Sequence, residues 1–283
     1  ESDFHSRRAK WAAHSIILLL KTMGLYARGQ RNARQPVLRE ETFTFRNLPK
    51  SLDGLRILHL SDFHFRRQDT VFLEALRKLL NDLDVDLCLM TGDFRFGYYG
   101  RQDNIPAQVA RILEAPRIRH GTFTVLGNHD LSDIVPGLRS AGVRVLINEG
   151  CLVPLRGDAL WIGGVDDPHK FRTASVKDAW AGKPDHVFGI LLAHSPEVIP
   201  EALVAGVDLY LCGHTHGGQV RFPVLGPLHT NARCAPEFAL GRWTAGAMQG
   251  FTTAGLGVTD IPIRFRCPAE ALLITLRQDR NSS

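Results

Sequence analysis

Five short apolar runs, each ending in small residues and a polar side chain, most limit what this chain can fold into. They are "LRILHLSDFH", "DVDLCLMTGDF", "GTFTVLGNHD", "VFGILLAHSPE" and "GVDLYLCGHTH". Each is short for a buried helix and too continuously apolar for a strand with one wet face. Each is therefore read as a strand covered on both faces. After the first of them, "TVFLEALRKLLNDL" puts Phe72, Leu73, Leu76, Leu79, Leu80 and Leu83 on one side of a helix. The segment "VRVLINEGCLVPLRGDALWIGGVD" has shorter strands broken by Gly and Pro turns. Alternating strands and helices of this kind make the fold class α/β, a central sheet or sandwich with helices outside. With 283 residues, 44% of them hydrophobic, the chain can build one large domain or a domain with an appendage.

In open α/β folds, ligands gather at the carboxyl ends of the strands. Here Asp62 and His64 follow the first run, Asp93 the second, and Asn128 with His129 the third. His194 follows the fourth, and His214 and His216 the fifth. Five of the twelve histidines fall at these junctions; the other seven, His59 and His169 among them, are read as surface or satisfied core residues. Two Asp, one Asn and four His are too many ligands for one first-row cation and suit two that share a bridge. Asp93 is the natural bridge, because a carboxylate has two oxygens. Mixed imidazole, carboxylate and amide donors favour Mn²⁺, with Fe or Zn²⁺ as alternatives, over Ca²⁺ or Mg²⁺. Two such cations about 3.5–4 Å apart clamp the oxygens of a phosphoryl group during in-line displacement.

Taken in order, D-x-H (Asp62, His64), G-D (Gly92, Asp93), G-N-H-D (Gly127 to Asp130), His194 and G-H-T-H (Gly213 to His216) resemble the calcineurin-like metallophosphoesterase family. The resemblance covers roughly residues 53 to 277 and implies a four-layer α/β/β/α sandwich. It also implies that Asp62, His64, Asp93 and His216 hold one metal, and that Asp93, Asn128, His194 and His214 hold the other. His129 resembles the family's general acid, or transition-state stabiliser, at the leaving oxygen, with Asp130 orienting it from behind. One departure is that Phe94, Arg95 and Phe96 follow Asp93 where the family often has an acid. Within the family, "GHTHGGQ" and the tail "GLGVTDIPIRFRCPAEALLITL" look like a bacterial branch that includes membrane-associated phosphoesterases. Some relatives of that branch hydrolyse UDP-2,3-diacylglucosamine in lipid A synthesis. Another family of sugar-lipid pyrophosphatases usually carries Arg where this chain has His129.

The charge is unevenly spread. Residues 1–50 carry ten Lys or Arg against four Asp or Glu, while the rest carry 24 against 25. Residues 1–40 are accordingly read as a basic arm and 41–283 as the metallophosphoesterase domain. In the arm, "RRAKWAAHSIILLLKTMGLYARGQRNAR" is expected to form a helix with Arg7, His14, Lys21 and Arg28 along one stripe. Ile16, Ile17, Leu19, Leu20, Met23 and Tyr26 fill most of the remaining surface. That pattern fits a helix lying in an anionic membrane interface. The expectation is a peripheral protein on the cytoplasmic face of the inner membrane, acting on a phospholipid or glycolipid-nucleotide substrate. A helix packed on the protein's own body and an exported, periplasmic protein with a twin-arginine leader ("SRRAKW") are the alternatives. The loop "DFRFGYYG", with Phe94, Phe96, Tyr98 and Tyr99, is expected to add an apolar surface beside Asp93.

Nucleic acid is a disfavoured partner, because the body lacks the basic excess that phosphate backbones require. A soluble phosphoesterase on nucleotides or nucleic acid, with the arm docking a partner, remains the alternative function. Five scattered cysteines without a C-x-x-C pair argue against a disulfide scaffold or zinc knuckle and for a reducing compartment.

Overall fold

The computed structural model describes residues 15, 17–65, 69–97, 104–222, 226–227, 230–259 and 261–279. Two six-stranded mixed sheets face each other. The first takes Val37–Phe45 (β1), Leu55–Leu60 (β2), Leu87–Met90 (β3), Thr122–Thr124 (β4), Val143–Val145 (β5) and, from the far end of the chain, Glu270–Gln278 (β12). Its order is β1-β12-β2-β3-β4-β5. The second takes Glu149–Leu155 (β6), Asp158–Gly164 (β7), Phe188–Leu192 (β8), Leu209–Cys212 (β9), Gly241–Ala245 (β10) and Met248–Thr252 (β11). Its order is β10-β11-β9-β8-β7-β6.

The middle of each sheet is parallel: β2 through β5 in the first, β7, β8, β9 and β11 in the second. Parallel neighbours need crossovers, and these supply the outer layers. Thr70–Leu80 (α2), Ile105–Leu113 (α3) and Val135–Ser140 (α4) cover the outer face of the first sheet. Val176–Ala179 (α5) and Ile199–Val204 (α6) cover that of the second. Ile57, Leu89 and Leu272 from one sheet meet Ile162, Ile190 and Leu211 from the other in a shared core. This is the expected α/β/β/α sandwich. The spacing read for α2 also appears, since Phe72, Leu73, Leu76 and Leu80 are buried and Leu79 and Leu83 lie at the edge of the same cluster. Asp69 caps the helix by accepting from the Phe72 N–H at 3.2 Å.

The basic N-terminal stretch is not one continuous helix. Residues 17–22 are helical and end in a turn where Leu25 N donates to Leu20 O (2.8 Å) and Gly24 N to Lys21 O (3.1 Å). This 6→1 and 5→2 pair places Gly24, at φ +68°, just past the helix end, where a left-handed residue closes the turn. A second helix, Tyr26–Ala33 (α1), then sets off in a new direction, so Arg28 does not continue a stripe from Lys21. Arg7 and His14 lie outside the described residues. α1 packs on the body: Gly29 and Ala33 are buried, and a Cβ on Gly29 would come within 2.6 Å of the Phe265 ring. Leu18, Leu19 and Met23, in contrast, stay 64%, 58% and 59% exposed.

The expected apolar surface beside Asp93 is only partly a surface. Phe94 is wholly buried and stacks on Phe63 at 5.2 Å between ring centroids; its carbonyl accepts from Phe65 N–H at 2.8 Å and its N–H donates to Asp130 Oδ1 at 3.0 Å, two bonds that fix the backbone there. Phe96 is half-buried, and Tyr98 and Tyr99 lie outside the described residues. All five thiols are free.

Because the sandwich depends on the layer between its sheets, Leu211→Ala should lower stability by about 2–5 kcal/mol, the range for deleting a buried leucine side chain. Urea unfolding measures the change; a loss below 1 kcal/mol would mean that Leu211 is not in a close-packed layer.

Candidate metal centre

The carboxyl ends of both parallel segments meet at one edge of the sandwich. β2 delivers Asp62 and His64, β3 delivers Asp93, and the turn after β4 delivers Asn128 and His129. From the facing sheet, β8 delivers His194, and β9 delivers His214 and His216. The backbone is strained where it releases these side chains. Asp62 (φ 53°), His64 (φ 42°), Asp93 (φ 54°), His214 (φ 69°) and His216 (φ 50°) all sit in the left-handed region. They make up half of the ten described non-glycine residues that do so, and such strain collects at functional sites.

The neighbouring glycines make room for protein rather than for a ligand. A Cβ on Gly127 would strike the Asp93 carboxylate, and one on Gly213 would strike Asp62 Oδ2 and Ser61 Oγ. The two strand ends therefore approach closely enough to bring their carboxylates inside the loops.

Seven of the nine sequence-predicted residues form two adjoining groups. In the first, His64 Nε2 lies 3.0 Å from His216 Nε2 and 3.5 Å from Asp93 Oδ2, and His216 Nε2 lies 3.4 Å from Asp62 Oδ1. In the second, His194 Nε2 lies 3.0 Å from Asn128 Oδ1, 3.2 Å from His214 Nδ1 and 3.3 Å from Asp93 Oδ2. Asp93 Oδ2 belongs to both.

The hydrogen bonds behind the rings determine which nitrogen faces inward. His64 Nδ1 meets Arg95 O at 2.9 Å, His194 Nδ1 meets Thr91 O at 2.7 Å, and His214 Nε2 meets Asn231 O at 3.3 Å. A carbonyl can only accept, so each ring places its N–H outward and its lone pair inward. With the rings neutral, the inward atoms around Asp93 Oδ2 are acceptors, and a positive charge, either a proton on His194 Nε2 or a cation, must join them. Such a set fits divalent cations, which imidazole nitrogens and carboxylate oxygens bind at about 2.0–2.2 Å.

The charges agree. Burial lowers His64 to about 4 and His214 to about 3, and takes His216 lower still, so these rings are neutral. Burial, with Asp93 nearby, raises Asp62 to about 6. Burial opposes charge on His194 as well, yet the Asp93 carboxylate raises it to about 10. Burial works against charge on Asp93 too, but His194 and His129 hold it well below the usual carboxylate range. This pocket thus draws positive charge to its centre.

His129 joins His64 and Asp93 in a third group of candidate metal-binding side chains that overlaps the first. Its N–H donates to Asp93 Oδ1 at 2.9 Å, its Nε2 is 4.0 Å from Asp93 Oδ2, and its side chain is 19% exposed. Asp130 does not play the part expected of it. Its Oδ1 accepts from the Phe94 and Arg95 N–H groups at 3.0 and 3.1 Å, and its Oδ2 accepts from Gly127 N–H at 2.9 Å. It knits the loop after β3 to the loop after β4 instead of orienting the His129 ring.

Two residues near the centre escaped the sequence reading. The His169 ring lies 4.2 Å from that of His214, and its Nδ1 is 2.8 Å from Glu197 Oε1. It follows β7, a strand end on the same edge, and that position was the available signal. Arg264, wholly buried, brings Nη2 within 3.3 Å of His216 Nδ1.

Asp130→Ala should leave three buried amides without their acceptor, each costing about 1–3 kcal/mol. The expected result is a clear drop in melting temperature, smaller for Asp130→Asn; unchanged melting in both variants would contradict the loop-knitting role.

Residues 55–218 match the calcineurin-like phosphoesterase family, a span that includes all five strand-end motifs. The chain is 30% identical over 254 residues to the metallophosphoesterase YkuE of Bacillus subtilis, covering 84% of each chain. It is 27% identical over 242 residues to the phosphodiesterase YaeI of Escherichia coli, covering 78% of this chain and 82% of that one. A Bos taurus transmembrane protein with a metallophosphoesterase domain is 29% identical over 295 residues, covering 95% of this chain and 63% of that one. With its strand order, its converging acceptors and these relatives, the chain belongs to the calcineurin-like phosphoesterase family and is a metal-dependent phosphoesterase.

Proposed function

We propose that this protein hydrolyses a phosphodiester or pyrophosphate bond of an amphiphilic substrate presented at an anionic membrane surface. In this reading Asp62, His64, Asp93 and His216 hold one divalent cation, and Asp93, Asn128, His194 and His214 hold a second. The observation that carries it is the position of Asp93 Oδ2, 3.5 Å from His64 Nε2 and 3.3 Å from His194 Nε2. The two cations, when bound, supply the positive charge that polarises a phosphoryl group and activates water. The chain's own residues do the rest. Asp93 fixes His129 through the backbone bond to Oδ1, which leaves the partly exposed ring at the mouth of the centre. From there His129 donates a proton to the departing oxygen. The strained loops hold the ligand atoms in place before substrate arrives, so the geometry is organised in advance.

The membrane reading is supported by Leu18 and Leu19, on a short helix that also carries Lys21, and by Met23 in the turn that ends it, all three standing in solvent. Apolar side chains beside cations are what an anionic interface takes up. No helix among the described residues is long and apolar enough to cross a membrane. One relative is named as a transmembrane protein, which places a similar domain beside a bilayer in that case. A glycolipid nucleotide such as UDP-2,3-diacylglucosamine is the substrate class to try first. The competing reading is a soluble phosphoesterase on nucleotides.

A panel of bis-p-nitrophenyl phosphate, UDP-diacylglucosamine, a cyclic nucleotide and single-stranded DNA, each with Mn²⁺, separates these readings. Asp93→Ala should abolish hydrolysis and remove at least one metal equivalent by elemental analysis. His129→Ala should keep both equivalents and lose about 10²–10⁴-fold in rate, the scale of a positioned acid. Loss of metal in that variant would make His129 a ligand instead.

Replacing Leu18, Leu19 and Met23 together by Ser should weaken co-sedimentation with anionic liposomes. The same variant should slow hydrolysis of a diacylated substrate in mixed micelles and leave the small diester unaffected. Undiminished sedimentation would remove the membrane from this reading.

A further inference from the structure

We infer that Arg264 is a positioning residue that couples the docking of α1 to the half-site of Asp62, His64 and His216; the inference rests on the two-cation reading above. Arg264 is wholly buried, and backbone carbonyls take the place of water around its guanidinium. The two N–H groups of Nη2 are shared among Ala254 O at 2.8 Å, Gly255 O at 3.0 Å and Gly257 O at 2.6 Å. Nε donates to Gly257 O at 3.1 Å, and Nη1 lies 3.3 and 3.2 Å from Cys267 O and Pro268 O. A buried cation held this way fixes the carbonyls as firmly as they fix it, since losing either side leaves unpaired polar groups.

The segment it gathers encloses Asp62. Leu256 N donates to Ser61 O at 3.0 Å and Gly257 N to Asp62 O at 2.6 Å. A Cβ on Gly255 would come within 2.6 Å of Asp62 Cβ. The same Nη2 stands 3.3 Å from His216 Nδ1, so one guanidinium backs two of the three residues particular to this half-site. The other half-site rests elsewhere, with His194 on Thr91 O and His214 on Asn231 O.

The backbone of Arg264 faces the opposite way, toward α1. Its N–H donates to Gly29 O at 3.0 Å, and its carbonyl accepts from Asn32 Nδ2 at 3.0 Å. Gly29 lies directly on Ile263 and Phe265, the two neighbours of Arg264. Phe265 N in turn donates to Gln219 O at 2.9 Å, three residues past His216. A shift of α1 therefore moves residues 263–265, and through them the supports of Asp62 and His216. α1 follows residues 17–22, where Leu18 and Leu19 are exposed, so the segment read as membrane-facing connects to one metal half-site and not to both.

The test is a Mn²⁺ titration of the metal-free full chain, followed by calorimetry and elemental analysis. Gly29→Leu, which drives a side chain into Phe265 and Ile263, and Asn32→Ala, which cuts the bond to Arg264, act from the arm. Arg264→Lys acts at the guanidinium. One of the two equivalents should weaken at least tenfold in Gly29→Leu and Arg264→Lys, and less in Asn32→Ala, while the other stays within about twofold of wild type. In a His214→Ala background, which cripples the other half-site, Gly29→Leu should remove the remaining equivalent. Wild-type affinity at both sites in Gly29→Leu and Asn32→Ala would overturn the coupling, and so would equal weakening at both. Fewer than two equivalents on the wild-type chain would overturn the two-cation reading and this inference with it.

Discussion

A single buried oxygen, Asp93 Oδ2, is the atom on which the site depends. It lies between two groups of inward lone pairs, and the protein supplies too few donors to satisfy them. Acceptors brought this close repel unless something positive joins them, and removing them from water makes the repulsion worse. The fold tolerates the arrangement because the His64, His194 and His214 rings are anchored from behind by backbone carbonyls, His216 by the Arg264 guanidinium, and the Asp62 and Asp93 carboxylates by backbone amides. Asp62 accepts from His214 N–H at 3.0 and 3.1 Å, so a residue of the first sheet is tied to a loop of the second. The sandwich thus holds the acceptors in place and leaves the missing charge to a cation.

That arrangement explains where the strain lies. Five positive-φ residues at the strand ends would be costly anywhere, at about 1–3 kcal/mol each. They persist because the continuous apolar strands behind them, packed in three layers of buried residues, resist relaxation. Rigid strands and strained tips are two parts of one device. Relaxed tips would turn the ligand atoms away from the shared oxygen.

Much of this was legible in the sequence because it depends on local alternation. A buried parallel strand must be apolar throughout, and its carboxyl end must leave the sheet in a loop, so the strand runs and the seven converging residues can be read together. What failed was reading that depends on direction or on distant partners. The N-terminal helix was extended through Gly24 because its apolar pattern continues past the glycine, whereas the glycine ends the helix and turns the chain. Asp130 sits next to His129 in sequence, but its oxygens reach amides 35 and 36 residues away. Phe94 looked like a surface aromatic because its neighbours are polar or outside any strand, yet it fills the space under α2 and α3.

Arg264 shows the limit most clearly. In "IPIRFRC" nothing distinguishes it from Arg266, two residues on, which is exposed and has φ +50°. Its role comes from six contacts with backbone carbonyls three to ten residues away in sequence, meaningful only once that segment folds back around Asp62. A charged side chain in an apolar run signals either exposure or a fully enclosed polar cage, and only the second can transmit a displacement. In this chain the cage lies between the arm and the bridging centre, so the part of the sequence farthest from the motifs in character is mechanically closest to one of them.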